Sequence, residues 1–200
     1  AEILYICILH CMIAKIHSAI PSGYSGNLVE VEGDMNRGLP GFNIVGMANK
    51  TINEAKERVR SAIVNSKLTF PDKKVTINLA PAEIAKDGTY LDLPIALAIL
   101  VLSKQLLPSD IENKLFVGEL SLNGEIRPIR GIINIVETAK AHGITEIFLP
   151  RENEAQATLI SGVTIFGVKS LSELFFHLKK QHFIEQSASV VKNTKTDKNE

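Results

Sequence analysis

The chain opens with a period-two pattern. In residues 13–20 and 28–32 apolar positions alternate with polar ones, Val29 and Val31 against Glu30 and Glu32, which predicts a half-buried hairpin. RGLPGFNIVGM then supplies a glycine-punctuated turn and a third strand. At Thr51 the period changes to that of a helix. Ile52, Ala55, Val59, Ala62 and Ile63 fall on one face, with Lys56, Glu57, Arg58 and Arg60 largely outside it, and Thr51 and Glu54 have the spacing of a capping box. KVTINLAP returns to strand, with Val75, Ile77 and Leu79 on one side.

A second helix over roughly 92–104 is apolar on every face and therefore belongs at the centre of the fold. Pro94 is tolerated there because it lies in the first turn, and Asp92 has the identity of an N-cap. Ser109 and Glu112 suggest another capping box. KLFVGELSL reads as one strand, turned at Asn123-Gly124 into EIRPI. A third helix over about 131–142 stops at Gly143; strand ITEIFLP, a helix from Glu152, strand VTIFGV and a last helix capped by Ser170 and Glu173 follow. Strands separated by helices imply parallel pairing in the second half, so the fold class is α/β.

Two hundred residues, 45% of them apolar, suit one sizeable core. Residues 12–180 are read as that domain. The polar stretch 181–200, EQSASVVKNTKTDKNE at its heart, cannot bury enough surface to offset its ordering entropy and is read as a linker or disordered tail. Residues 1–11, AEILYICILHC, are too short to span a bilayer and lack a basic segment and cleavage site. Met12 is the expected natural start, with an ordinary extra strand or helix as the alternative. Cys7 and Cys11 form no disulfide framework, and a reducing, cytoplasmic location is expected without membrane partners. The 22 basic and 22 acidic residues cancel, which excludes a global electrostatic pull toward nucleic acid.

Candidate chemistry is sparse. GLPGFNIVG lacks the Lys and hydroxyl of a Walker loop, so no ATP site is expected here. Glu83, Asp87 and Asp92 could ligate a hard cation, but Asp92 suits a cap and Asp87 a turn, and no metal site is assigned. The basic set Lys50, Lys56, Arg58, Arg60, Lys67, Lys73 and Lys74 could contact phosphates along one surface, or could be a solvated face. From it, Lys56, Arg58, Arg60, Lys73 and Lys74 are the candidate nucleic-acid contacts.

KDGTYLDLPIAL together with GELSLNGEIRPIRGI resembles the Lon protease catalytic domain, in which a K-D-G turn leads to the nucleophilic serine of K-D-G-P-S-A-G and a downstream segment carries the base lysine. AHGITEIFLPREN matches a further run of that family. The resemblance implies a Lon-like domain of the ribosomal-protein-like β-α superfold, a mixed sheet packed with helices around a buried central helix. Gly88 keeps the turn glycine. Tyr90 falls at the serine position and Ile133 at the lysine position, so both members of the dyad are replaced and Ser–Lys acyl transfer is not expected.

A longer resemblance, covering nearly all of 12–178, is carried by VEVEGDMNRGLPGFNIVGMANKTINEAKERVRSAIVNS, FPDKKVTINLAPAEIAKDGTYLDLPIAL and GELSLNGEIRPIRG. These segments are similar to the amino-terminal domain of the ComM/YifB family of magnesium chelatase-like proteins. The chain departs from that family at Asn49 and Lys50, where an acidic residue is frequent. The resemblance implies an AAA+ ATPase module beyond this chain, with ATP and magnesium bound there and no cofactor here. It also implies a homo-hexamer and, in the ComM branch, a helicase that migrates DNA branches in natural transformation. The expected role of the domain is DNA contact or hexamer organisation; the alternative is a chelatase-type or chaperone-like module that grips a protein partner.

Overall fold

The computed structural model of the chain describes residues 13–46, 50–86 and 89–187, with side chains in the first helix described from residue 54 onward. Its elements are β1 (Ala14–Ser22), β2 (Ser25–Asn36), β3 (Gly41–Val45), α1 (Lys50–Asn65), β4 (Lys74–Ala80), α2 (Asp92–Leu102), α3 (Pro108–Ile111) and β5 (Lys114–Phe116). There follow β6 (Glu119–Leu120), β7 (Ile126–Arg127), α4 (Ile132–Ala141), β8 (Glu146–Pro150), a 3-10 turn, α5 (Glu154–Ala157), β9 (Thr164–Val168) and α6 (Leu171–Leu178). The pairing order is β3-β4-β2-β1-β5-β8-β9, with β6 and β7 forming a separate ribbon. Pairs β1–β2 and β2–β4 are antiparallel, and the other four in the large sheet are parallel. The result is a mixed α/β fold. The expected parallel second half is observed because helices α4 and α5 return the chain to the same edge each time.

Period-two alternation sorts the strands into two layers of core. Ile16 and Ile20 of β1, Val29 and Val31 of β2 and Phe116, Phe148 and Val168 of later strands join α1, α2 and α6 on one face. Ala19, Leu115, Ile147, Leu149 and Ile165 point the other way, onto α4 and α5. Helix α2 is buried along its whole length, as a helix without a polar face must be. Truncating one of its leucines to alanine removes contacts on all sides, a loss of roughly 2–5 kcal/mol. Helix α4 lies so close over the hairpin that a Cβ on Gly26 would overlap the Thr138 hydroxyl.

Four expectations are corrected. KLFVGELSL is not one strand: the chain breaks between β5 and β6 at Gly118, where a Cβ would press on Ile126 and where the backbone turns to meet the start of α2. Asp92 is not an N-cap. Leu91 holds that position, without a side-chain cap bond, and Asp92 is the first helical residue, turned inward. At α3 the carboxylate of Asp110 accepts the Leu107 N–H at 2.8 Å, so neither Ser109 nor Glu112 makes the cap. The packing also runs past Lys180: Ile184 is buried, and Ser187 donates its N–H to Ile165 O at 3.0 Å and its hydroxyl to Glu154 Oε1 at 2.5 Å. At α6 the Ser170 hydroxyl does accept the Glu173 N–H, as expected. The expectations for residues 1–12, the Thr51 cap, the Asp87-Gly88 turn and the end of the tail lie outside the described residues.

Candidate functional site

The start of α2 is where the sequence places a nucleophile-bearing turn, and three elements converge on it. From α1, Arg58 reaches across 34 positions of sequence to Asp92: Nε donates to Oδ2 at 2.7 Å and Nη2 to Oδ1 at 3.1 Å, a two-point clamp. From β6, the Leu120 N–H donates to the same Oδ2 at 3.3 Å. Asp92 itself is only 1% exposed. Its pKa is pushed up to about 6 because burial penalises the carboxylate more than Arg58 and the Leu120 N–H favour it. Arg58 is held above its ordinary value by the hydrogen bond to Asp92.

Glu119 extends the network outward. It accepts the Thr89 hydroxyl, and Arg127 Nη1 lies 3.3 Å from its other oxygen. The backbone is closed as well. Gly118 donates its N–H to Tyr90 O at 3.0 Å and accepts the Leu93 N–H at 3.1 Å, while the Asp92 N–H is directed to Thr89 O at 3.4 Å. A helix start can stabilise an anion only through unpaired N–H groups. Here the N–H groups of Asp92 and Leu93 are directed at the protein's own carbonyls.

The two positions that match the Lon dyad by resemblance both pack against the second layer of core. Tyr90 and Ile133 are both partly buried there, and Tyr90 packs against the first layer as well. The PREN segment, quoted above only for resemblance, has a structural task. Buried Asn153 accepts the Ile129 N–H at 2.8 Å and donates to Ile129 O at 2.9 Å, which pins the connection between β7 and α4.

Lys86, in the connection before the turn, was not singled out from sequence. It is fully buried, and its ammonium donates to Pro81 O. Burial lowers its pKa, with Glu83 opposing. A KDG string carries no local sign of this, because burial is decided by what packs over it.

The basic set divides. Lys73 and Lys74 are exposed and Lys56 is half-buried. Arg60 is exposed and lies over the Phe70 ring, 4.7 Å from its centroid, so it reaches the connection that carries Lys73. Arg58 does not belong with them, since its guanidinium is turned in to Asp92. Of the three carboxylates weighed for a cation, Glu83 is exposed, Asp92 is committed to Arg58, and Asp87 lies outside the described residues. Among the described residues no group of three His, Cys, Asp or Glu side chains is placed to hold a metal ion, and no helix is long and apolar enough to cross a membrane.

Comparison with known proteins places this arrangement. The profile of the family described as subunit ChlI of Mg-chelatase matches residues 31–153. Competence protein ComM of Haemophilus influenzae is 35% identical over 182 residues, 91% of this chain and 36% of that protein. The uncharacterized protein YifB of Salmonella typhimurium is 40% identical over 174 residues, 87% of this chain and 34% of that protein. Lon protease 2 of Bacillus subtilis is 29% identical over 169 residues, 75% of this chain and 30% of the protease. The chain thus spans about a third of the length of these curated relatives. With a match that runs from β2 through the buried ion pair to Asn153, the chain belongs to the Mg-chelatase ChlI-subunit family, in the group that contains ComM and YifB.

Proposed function

We propose that the chain is a non-proteolytic, Lon-like accessory domain of a magnesium chelatase-like AAA+ ATPase. The parent is a ComM-type branch-migration helicase, to which the domain contributes DNA contact or hexamer organisation. The observation that carries the reading is the Arg58–Asp92 clamp at the start of α2. A buried ion pair holds the start of the helix that follows the segment resembling the Lon nucleophile turn, and Tyr90 and Ile133, which match the dyad positions by resemblance, are packing residues. The similarity to Lon protease 2 and to ComM supports a shared ancestry of the scaffold without the protease chemistry. ATP and magnesium belong to the ATPase module of the whole protein, and a cytoplasmic homo-hexamer is the form in which the domain would act.

DNA contact, on this reading, resides in Lys56, Arg60, Lys73 and Lys74, with Arg58 withdrawn into the fold. Their phosphate contacts would be sequence-independent and strongly salt-dependent, because neutralising phosphates releases counterions. The test is a salt titration of duplex and branched-DNA affinity for wild type and for a variant with these four residues changed to alanine. Weaker binding and a flatter salt slope are expected, with a melting temperature within a few degrees of wild type. Equal affinities and slopes would shift the assignment to a protein-partner module. Peptidase activity that responds to changes at Tyr90 would overturn the non-proteolytic reading.

A further inference from the structure

A second surface is built at the far end of α6. The segment 175–183 reads FFHLKKQHF, interleaving rings with cations. Beside it lies a cleft of about 270 Å³ lined by Ser109, Asp110, Lys114, His177, Lys180 and Phe183. Phe183 is 70% exposed. It does not swing free, because its ring meets the His177 ring edge-on at 6.1 Å, and the next residue, Ile184, is buried and donates its N–H to His177 Nδ1 at 2.9 Å. His177 is in turn wedged against Phe148 and Phe166, at 5.4 and 5.3 Å. An aromatic face is thus fixed in place and left to solvent.

The acidic groups around the cleft are each engaged. Asp110 accepts the Leu107 N–H at 2.8 Å, Glu146 pairs with Lys114 at 3.5 Å, and Glu173 accepts the Lys169 N–H at 2.6 Å. Lys180 forms no ion pair with a described residue. Because His177 Nδ1 accepts from Ile184, the neutral ring carries its proton on Nε2 and offers a donor.

We propose that this cleft binds a nucleotide: a nucleobase stacks on Phe183, its phosphate lies by Lys180 and Lys114, and the polar edge of the base meets Ser109 and His177. A fixed, exposed ring beside Lys180, which has no ion pair with a described residue, is the arrangement that single-strand binders use, since every base has a π-face to stack. The source of the nucleotide is either a single strand or a free nucleoside monophosphate. The surface is separate from the α1 corner and its assignment does not depend on that one.

The chain contains no tryptophan, so Phe183→Trp introduces a single reporter at the cleft. In low salt, thymidine monophosphate and an eight-residue oligothymidylate are titrated separately against this variant. Quenching of the tryptophan by the oligonucleotide at far lower concentration than by the monomer assigns the cleft to single strands; equal quenching per nucleotide assigns it to free nucleotides. In parallel, anisotropy of the labelled oligonucleotide should show at least about fivefold weaker binding for Phe183→Ala than for wild type. Lys180→Gly keeps the positive φ of 58° at that position and should lower the salt slope by about one. Absence of quenching by either probe up to millimolar concentration overturns the proposal. So does oligonucleotide binding that the α1 substitutions abolish and Phe183→Ala leaves intact. That second outcome would leave the DNA role of α1 standing, while loss of duplex binding alone would leave the cleft standing.

Discussion

Two buried charges sit on either side of one turn, and the fold treats them differently. Asp92 is clamped by a guanidinium and a backbone N–H. Lys86, six residues earlier, is buried as deeply with a carbonyl as its partner. Both are driven toward their neutral forms by burial, Asp92 up to about 6 and Lys86 downward. The difference lies in what each holds together. Asp92 joins α1, α2 and β6, so its carboxylate is a three-way tie at the centre of the site. Lys86 ties its own connection back to Pro81, a local contact within five residues. Removing a partner should therefore be costly on one side of the turn and mild on the other.

The largest expected effect is at Arg58. Arg58→Ala strands a buried carboxylate and should cost about 3–5 kcal/mol at pH 7, read by urea denaturation. At pH 5 the loss should shrink, because Asp92 then takes up a proton. The Arg58→Met, Asp92→Leu pair should recover most of it, since apolar residues can replace a buried ion pair. If Arg58→Ala melts like wild type, the clamp does not hold the site and the comparison fails.

Next in size is the pH dependence of Asp92 itself. Its folded pKa, about 6, lies above the ordinary 3.8. The folded state therefore binds the proton more tightly, and this contribution is present below about 4 and is lost as pH rises through about 6. The span corresponds to about 3 kcal/mol in stability. Denaturation of wild type and Asp92→Asn between pH 4 and 7 checks it: the fall should appear in wild type and be absent in the variant.

Lys86→Met should be milder, within about 1 kcal/mol of wild type or more stable, because an apolar chain of similar length replaces a buried ammonium whose hydrogen-bond partner is a carbonyl and not a carboxylate. The sign of its pH dependence is opposite to that of Asp92. A folded pKa below 10.5 means that the unfolded chain binds the proton more tightly, so stability should rise as pH climbs toward the ordinary lysine range. Thermal melts from pH 7 to 10 should show that rise in wild type and not in the methionine variant. A loss of several kcal/mol on Lys86→Met would show that its bond to Pro81 does more than close a local turn. The smallest effect is at Arg60, an exposed cation over Phe70: Arg60→Ala should cost about 0.5 kcal/mol, with the same melts as readout.

The contrast also separates what could be read from sequence. The motifs KDGTYLDL and GELSLNG pointed to this junction and, through their resemblance to the Lon domain, to Tyr90 and Ile133 as the positions matching its dyad. They did not reveal that Asp92 faces inward. As a residue opening an apolar helix it had the appearance of a cap, and nothing within the helix distinguishes a cap from a buried ion. Arg58 looked like one more cation on a charged helix face, beside Lys56 and Arg60. Its partner lies 34 residues away, beyond any local period. Lys86 likewise gave no sign, and Phe183 sat in a stretch whose composition suggested a tail.

By itself the sequence determined the course of the chain from strand to helix: the paired strands β1 and β2, the wholly apolar α2 and the alternation of helix and strand that makes the second half parallel. Periodicity carries this information because each element must bury one face, or all faces, wherever it is placed. Only the tertiary structure decided which charges met. It brought Arg58 to Asp92 and Glu119 to Thr89, broke one expected strand at Gly118 to close the start of α2, and drew Ile184 and Ser187 back onto α6 and β9. The energy of a buried charge depends on groups that reach it from other elements, and their approach is fixed by packing, after the local pattern has done its part.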